Sequence, residues 1–286
     1  MNQTAPKISV VMPTYNQARF LPEALDGILR QTLRDFELIV VNDGSTDATA
    51  RVLAEYQQRH GFTVIQQENR KLPSALNAGF SIARGQYLTW TSSDNVMLPE
   101  MLQVLAAALD HNPQVGLVYA DWEWMDDHGA PLGAVRTLDY DAHLLMRINY
   151  VNACFLYRRK CQDRLGLYDP EYIYAEDWEY WFRLSKHFKL MRVPRVLYQF
   201  RLHSGSLTES DVKKRERGRS IGYDRLQARF RAHPWAWYLS KVKWEWLRLR
   251  AGQDPRQLPA RLAAALSCCS ETLSEPINAI ALTLGA

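Results

Sequence analysis

Cysteine is scarce in this 286-residue chain, which carries only Cys154, Cys161, Cys268 and Cys269. They form no CxxC pair and no His/Cys cluster at zinc-ligand spacing, which excludes a zinc module or a disulfide scaffold and leaves a reduced, cytosolic setting as the expectation. No run approaches the roughly 18 apolar residues of a membrane span. The apolar run Ile8–Met12 lacks the basic flank and the length of a signal peptide. There is no GxGxxG after that run and no GxxxxGK[ST] anywhere, so a dinucleotide oxidoreductase or a P-loop enzyme finds no support. Low-complexity tracts are missing too. With 47% hydrophobic and 23% charged residues, the composition is that of a globular protein with a substantial core.

The net charge of +4 is unevenly placed. Residues 211–256 hold 13 Lys/Arg against 5 Asp/Glu, so the basic character belongs to the tail and the remainder is acidic. The same stretch carries Trp235, Trp237, Tyr238, Trp244 and Trp246. Basic helices with tryptophan suit an anionic membrane surface, and they equally suit packing of a helical tail with its charges in water. No RNA or DNA motif accompanies the charge, so no nucleic-acid partner is expected.

The first hundred residues alternate strand-like and helix-like segments, which implies a parallel sheet with crossover helices. Strands are expected at Ile8–Met12, ended by Pro13, and at 36–41, 62–66 and 86–91, with helices at 20–31, 48–58 and 73–83. Ser45 or Thr46 is the expected N-cap of the second helix. Beyond Pro99 the pattern predicts a helix to about Asp110 and another over 177–187. Strands are expected at 115–120, 153–157, 189–193 and 196–201. From Leu207 onward amphipathic helices broken at Pro234, Pro255 and Pro276 are expected, with a domain boundary near Ser206.

In doubly wound sheets ligands bind beyond the carboxyl ends of the strands. The residues there, 14–16, 42–47 and 91–95, are polar and unlike a core. With no glycine-rich phosphate loop, a bound pyrophosphate needs another counter-charge. A divalent ion held by carboxylates supplies one. Glu176 and Asp177 open an apolar-patterned helix, whose N-terminus is expected to stabilise the carboxylate anion.

Four ordered motifs over residues 7–206 resemble a family-two, GT-A-fold inverting glycosyltransferase. These are "ISVVMPTYNQARFLPEALDGILRQTLRDFELIVVNDGSTDAT", "NAGFSIARGQYLTWTSSDNVMLPEML", "YAEDWEYWFRL" and "YQFRLHSGS". The resemblance implies a Rossmann-like α/β fold over residues 1–206, doubly wound and mostly parallel, followed by a C-terminal helical extension. It puts Pro13, Thr14 and Tyr15 beside the base of a nucleotide sugar, with Asp43 accepting a hydrogen bond from that base. The Asp-x-Asp motif falls on Ser92, Ser93, Asp94 and Asn95, so its first acid is replaced by Ser92. Asp94 is then the Mn²⁺ or Mg²⁺ ligand, aided by His203, and Ser93 belongs to the donor site. Arg201 would add charge at the diphosphate, and Asp177 would be the general base, with Glu176 and Trp178 beside it at the acceptor. Asp121 and Trp122, after another strand end, read equally well as an acceptor wall or as core.

The expected activity is inverting transfer from a UDP-type donor to a hydroxyl of a saccharide or lipid-linked saccharide, in polysaccharide or glycoconjugate synthesis. The expected setting is cytoplasmic or peripheral on the inner face of the cell membrane. Ser92 leaves open a second class, a non-catalytic nucleotide-sugar-binding or scaffold protein.

Overall fold

The computed structural model describes residues 5–205, 225, 226, 228–232, 239 and 243. The chain divides into two compact units, one of residues 1–141 with 149–228 and one of residues 142–148 with 229–286. In the second unit the described structure includes the short helix α5 (Ala142–Leu145), whose turn continues through the bond from Ile148 N to Leu144 O. The remaining elements belong to the first unit.

Its opening half is a run of βα repeats: β1 (Ile8–Thr14), α1 (Leu21–Leu29), β2 (Phe36–Asp43), α2 (Thr49–His60), β3 (Thr63–Gln67), α3 (Lys71–Ile82) and β4 (Tyr87–Trp90). These four strands pair in parallel in the order β3-β2-β1-β4. β1 is buried at every position, as expected of a central parallel strand covered on both faces. It also runs through Pro13 to Thr14, two residues further than expected. β4 stops pairing at Val11↔Trp90, so at Pro13 no ladder bond is needed on that side.

The second half is mixed. β5 (Val96–Met97), α4 (Met101–His111), β6 (Val115–Met125), β7 (Pro131–Val135), β8 (Phe155–Arg158), α6 (Arg159–Leu165), α7 (Glu176–Ser185) and β9 (Lys189–Arg201) complete the sheet in the order β4-β8-β6-β9-β5, with β7 a hairpin partner of β6. β8 runs antiparallel to both its neighbours, and β6 and β9 pair in parallel. The two expected strands 189–193 and 196–201 are one: Pro194 and Arg195 fall in a register shift, where Val193 faces Ala120 and Val196 faces Asp121.

From β1 the chain winds outward to β3 and then returns to the other side of β1 at β4. That reversal opens a crevice at the carboxyl ends of β1 and β4. α3 covers this region closely, because Gly79 lets the helix approach Val11 to a distance where a Cβ would stand 2.4 Å from the valine methyl.

Candidate active site

Two adjoining cavities, of about 370 and 390 Å³, occupy the crevice. Lys71, Leu72, Ser92, Tyr174 and Phe200 line both and form the passage between them. The first chamber collects Pro13, Thr14, Tyr15, Asp43, Ser93 and Asp94, six residues that sequence reasoning assigned to a donor.

The loop after β1 is held by the polar stretch after β2. Asn16 Oδ1 accepts from Thr46 N at 2.7 Å, and its own N–H donates to Ser45 Oγ at 3.0 Å. Gln17 N donates to Thr49 Oγ1, and Ala18 N to Asp47 Oδ2. Ser45 and Thr46 therefore do not cap α2, whose capping position is Ala48 and carries no side-chain bond. Their hydroxyl and amide groups are used across the crevice instead. Gly44, at φ +77, brings this loop against Asn69, where a Cβ would lie 2.7 Å from the Asn69 nitrogen.

Asp43 is buried at the end of β2. Its Oδ1 accepts from Gln67 Nε2 at 2.6 Å and from Arg70 N at 2.9 Å, while Oδ2 takes no bond from the described residues. The carboxylate is thus oriented by one oxygen and offers the other. Nearby, Thr14 Oγ1 and Asn69 Oδ1 are buried without partners.

Asp94 stands on the loop between β4 and β5. Its Oδ2 lies 3.0 Å from His203 Nε2, and its buried Oδ1 has no partner. Burying an unpaired carboxylate oxygen is costly, and a cation or a ligand hydrogen bond relieves it. The donor set fits a hard divalent ion: Asp94 through Oδ1, with His203 beside it, would hold one, completed by donor oxygens and water. Among the described residues no group of three or more His, Cys, Asp or Glu could hold a metal unaided.

Arg201 is not free for a diphosphate. It is 1% exposed, and its guanidinium donates to Asp94 O at 2.9 Å, to Asp126 O at 3.2 Å and to the Glu23 carboxylate. Its backbone N–H donates to Asn95 Oδ1, and it lies 4.9 Å over the Phe20 ring, which in turn packs 4.4 Å from the His203 ring. The expected phosphate contact is a brace behind the Asp94 loop, because all three guanidinium nitrogens already donate inside the fold.

The second chamber contains Glu176, Asp177, Asn149, Asn152, Trp90 and Trp124. Asp177 Oδ2 accepts from Asn149 Nδ2 at 2.6 Å and Oδ1 from Trp178 N at 2.6 Å. The expectation of a lowered Asp177 pKa is overturned: burial pushes it up, and the bonds from Asn149 and Trp178 offset that only in part. Removal from water outweighs the helix N-terminus. Glu176 is driven further, to about 8, by burial and by the Asp177 charge, and its Oε2 has no partner. Two neighbouring buried acids oppose each other's ionisation. Asp177, the one that accepts hydrogen bonds, is the better stabilised as the anion, and Glu176, with burial and the Asp177 charge against it, holds its proton more tightly.

Three further residues lie elsewhere. Asp121 is clamped by Arg192 through two bonds of 2.9 and 2.8 Å and by Thr137 N at 3.0 Å, so the acceptor-wall reading gives way to an internal ion pair. Trp122 belongs to the hydrophobic core and Trp178 is 3% exposed; neither lines a chamber. On the same strand face as Trp122, Trp124 does line the second chamber, a one-step displacement along the period-two pattern. Sequence reasoning also missed Lys71, Asn149, Asn152 and Tyr174. Three of these, with Asn16, are the non-glycine residues at positive φ among the described residues: Asn16 (52°), Lys71 (70°), Asn152 (53°) and Tyr174 (68°). Backbone strain therefore gathers at the crevice, and Asn16 and Asn152 are of the one residue type that tolerates it well.

A crevice at the switch point of an α/β sheet, lined by Asp43, Asp94 and the Glu176–Asp177 pair, is what the GT-A glycosyltransferase fold presents. The chain belongs to glycosyl transferase family 2, whose model matches residues 9–165. An uncharacterized glycosyltransferase of Bacillus subtilis, EpsJ, is 34% identical over 226 residues, which cover 73% of this chain and 64% of EpsJ. One from Rickettsia prowazekii is 28% identical over 225 residues, covering 75% of this chain and 70% of the relative. Among solved structures, Staphylococcus aureus TarS 1–349 in complex with UDP-GlcNAc matches with a TM-score of 0.61 at 19% identity, over 75% of this chain and 64% of that one. The mannosyltransferase PcManGT of Pyrobaculum calidifontis, in complex with GDP-Man and Mn²⁺, matches with a TM-score of 0.54 at 20% identity, over 98% of this chain and 79% of that one. At these identities the structural likeness speaks for the fold.

Proposed function

We propose that the protein transfers a sugar, with inversion, from a UDP-type donor to a hydroxyl of a saccharide or lipid-linked saccharide, in polysaccharide or glycoconjugate synthesis. One observation carries the reading. Four buried polar atoms without partners, Thr14 Oγ1, Asn69 Oδ1, Asp94 Oδ1 and Glu176 Oε2, belong to residues that line the two chambers. Native interiors leave few such atoms, and a cleft where several gather is one that a ligand can complete.

The donor's base enters the first chamber between Pro13, Thr14 and Tyr15. Asp43, steered by Gln67 and Arg70, presents Oδ2 to a base N–H. A uracil imide has one such donor, which matches one free oxygen. Asp94 and His203 would hold Mn²⁺ or Mg²⁺, whose chemistry is to neutralise charge on a departing diphosphate.

In the second chamber Asp177 accepts the proton of the attacking hydroxyl. That oxygen bonds to the anomeric carbon as the bond to the phosphate oxygen breaks, the electron pair leaving with the nucleoside diphosphate. Asn149 and the Trp178 amide hold Asp177 in place, so the base is oriented before the acceptor arrives. Protonated Glu176 donates to a substrate oxygen, a role its ionised form cannot take.

The domain reading that goes with this function is a catalytic domain of residues 1–206 and a helical extension of residues 207–286. Nearly all of that extension, with its basic, tryptophan-rich stretch and the membrane contact expected of it, lies outside the described residues.

The test is donor hydrolysis and transfer with UDP, GDP and dTDP sugars, with and without Mn²⁺, on the protein and on Asp177→Asn. Loss of turnover in the variant with retained UDP binding is expected. Full turnover by Asp177→Asn would remove the base, and nucleotide binding without any turnover by the unaltered protein would make it a binding protein.

A further inference from the structure

With Arg201 sealed behind the Asp94 loop, the crevice has a deficit of positive charge. Asp43, Asp94 and Asp177 line the two chambers, and among the described residues Lys71 is the only Lys or Arg that lines either; it lines both. Its position is unusual in a second way. Lys71 opens α3 at φ 70°, a left-handed conformation that a lysine adopts at a cost and a glycine adopts freely. Its side chain is exposed, and no described residue forms an ion pair or hydrogen bond with the ammonium. A cation held at a strained position and facing the passage between the two chambers is placed to meet a ligand there.

We propose that Lys71 is a binding residue for the diphosphate of the donor, at the junction of the two chambers. This rests on the nucleotide-donor reading above and adds to it a specific cation. A nucleoside diphosphate carries its charge between the base and the sugar, and the passage lined by Lys71 lies between the chamber of Asp43 and the chamber of Asp177. The lysine also answers the loss of an acid at Ser92: with a single carboxylate for a metal, a side-chain cation takes a share of the phosphate charge.

The strain supplies an unusually clean variant. Lys71→Gly removes the ammonium and relaxes the backbone, so function and folding are expected to move in opposite directions. Binding of UDP, UMP and uridine is measured by calorimetry with Mn²⁺ present, for the unaltered protein, Lys71→Gly and Lys71→Arg. The glycine variant is expected to lose roughly ten- to hundredfold in UDP affinity. Its uridine affinity stays level and it melts at or above the temperature of the unaltered protein, while Lys71→Arg keeps most of the UDP affinity. Unchanged UDP affinity in Lys71→Gly overturns the proposal, as does an equal loss for UDP and uridine together with a lower melting temperature, which would make Lys71 structural. If the unaltered protein binds none of UDP, GDP or dTDP, the donor reading falls and the lysine's role with it. Asp177→Asn separates the two: UDP binding retained in that variant upholds the donor site whichever way Lys71 behaves.

Discussion

Glu176 and Asp177 are adjacent in sequence, share a helix turn, and are assigned different roles by their hydrogen bonds. Asp177 accepts from Asn149 and from a backbone amide, whereas Glu176 Oε2 accepts nothing. Asp177→Asn is expected to reduce turnover by about a thousandfold, the scale of a lost general base, with little change in donor affinity. Because burial raises the Asp177 pKa, the acid limb of a pH–rate profile should fall above its ordinary value of 3.8. Glu176 also has a consequence for stability. Its pKa is about 8 in the folded protein against an ordinary 4.5, so the folded state keeps a proton that the unfolded chain releases. The contribution is intact below pH 4.5 and is lost as pH rises to about 8. Glu176→Gln should therefore be more stable to unfolding than the unaltered protein near pH 8, by on the order of 2–4 kcal/mol, with the difference vanishing at acid pH. A gap independent of pH would show that Glu176 is not buried as an acid.

Elements position these residues by close approach and by bracing. α3 lies on β1 through Gly79, and Gly79→Ala would drive a methyl into Val11. A loss of about 1–3 kcal/mol in a denaturant titration is expected, the usual penalty of overpacking. At the other end of the site, β9 delivers Arg201 to the back of the Asp94 loop, where it holds two backbone carbonyls and the Glu23 carboxylate. Arg201→Met keeps much of the volume and removes the brace. It is expected to raise the Mn²⁺ concentration needed for half-maximal activity by about tenfold or more while leaving uridine binding unchanged, since a brace acts on Asp94 and not on Asp43. Equal weakening of both ligands would mean that the whole sheet edge had shifted.

For the molecule as a whole, the sheet changes character at β8. The parallel half supplies Pro13, Thr14, Tyr15, Asp43 and Lys71 to the first chamber, and the mixed half brings in β9, with Arg201, and the helix that carries the acid pair. A ligand that bridges the two halves stabilises only the folded state, so the correct nucleotide sugar is expected to raise the melting temperature more than its nucleoside does. A thermal-shift series of uridine, UDP and UDP-sugars, each with Mn²⁺, checks this. Equal shifts for all three would confine binding to the parallel half.

The alternating apolar and polar segments determined the βα run from β1 to β4, because local periodicity dictates which faces are buried. The placing of Asp43, Asp94 and Asp177 at strand or helix ends was legible for the same reason, and all three line the crevice. Tertiary structure alone decided which charges are spent inside the fold. Arg201 and Asp121 look like site residues along the chain, but each meets its partner across long sequence separations, Glu23 for the first and Arg192 for the second. Lys71 lay outside the expected helix 73–83, and it lines both chambers only because α3 starts two residues earlier and is laid over the switch point. The Glu176–Asp177 acidities were misjudged from the helix terminus because the larger effect, removal from water, depends on what packs around the pair, and no local pattern carries that.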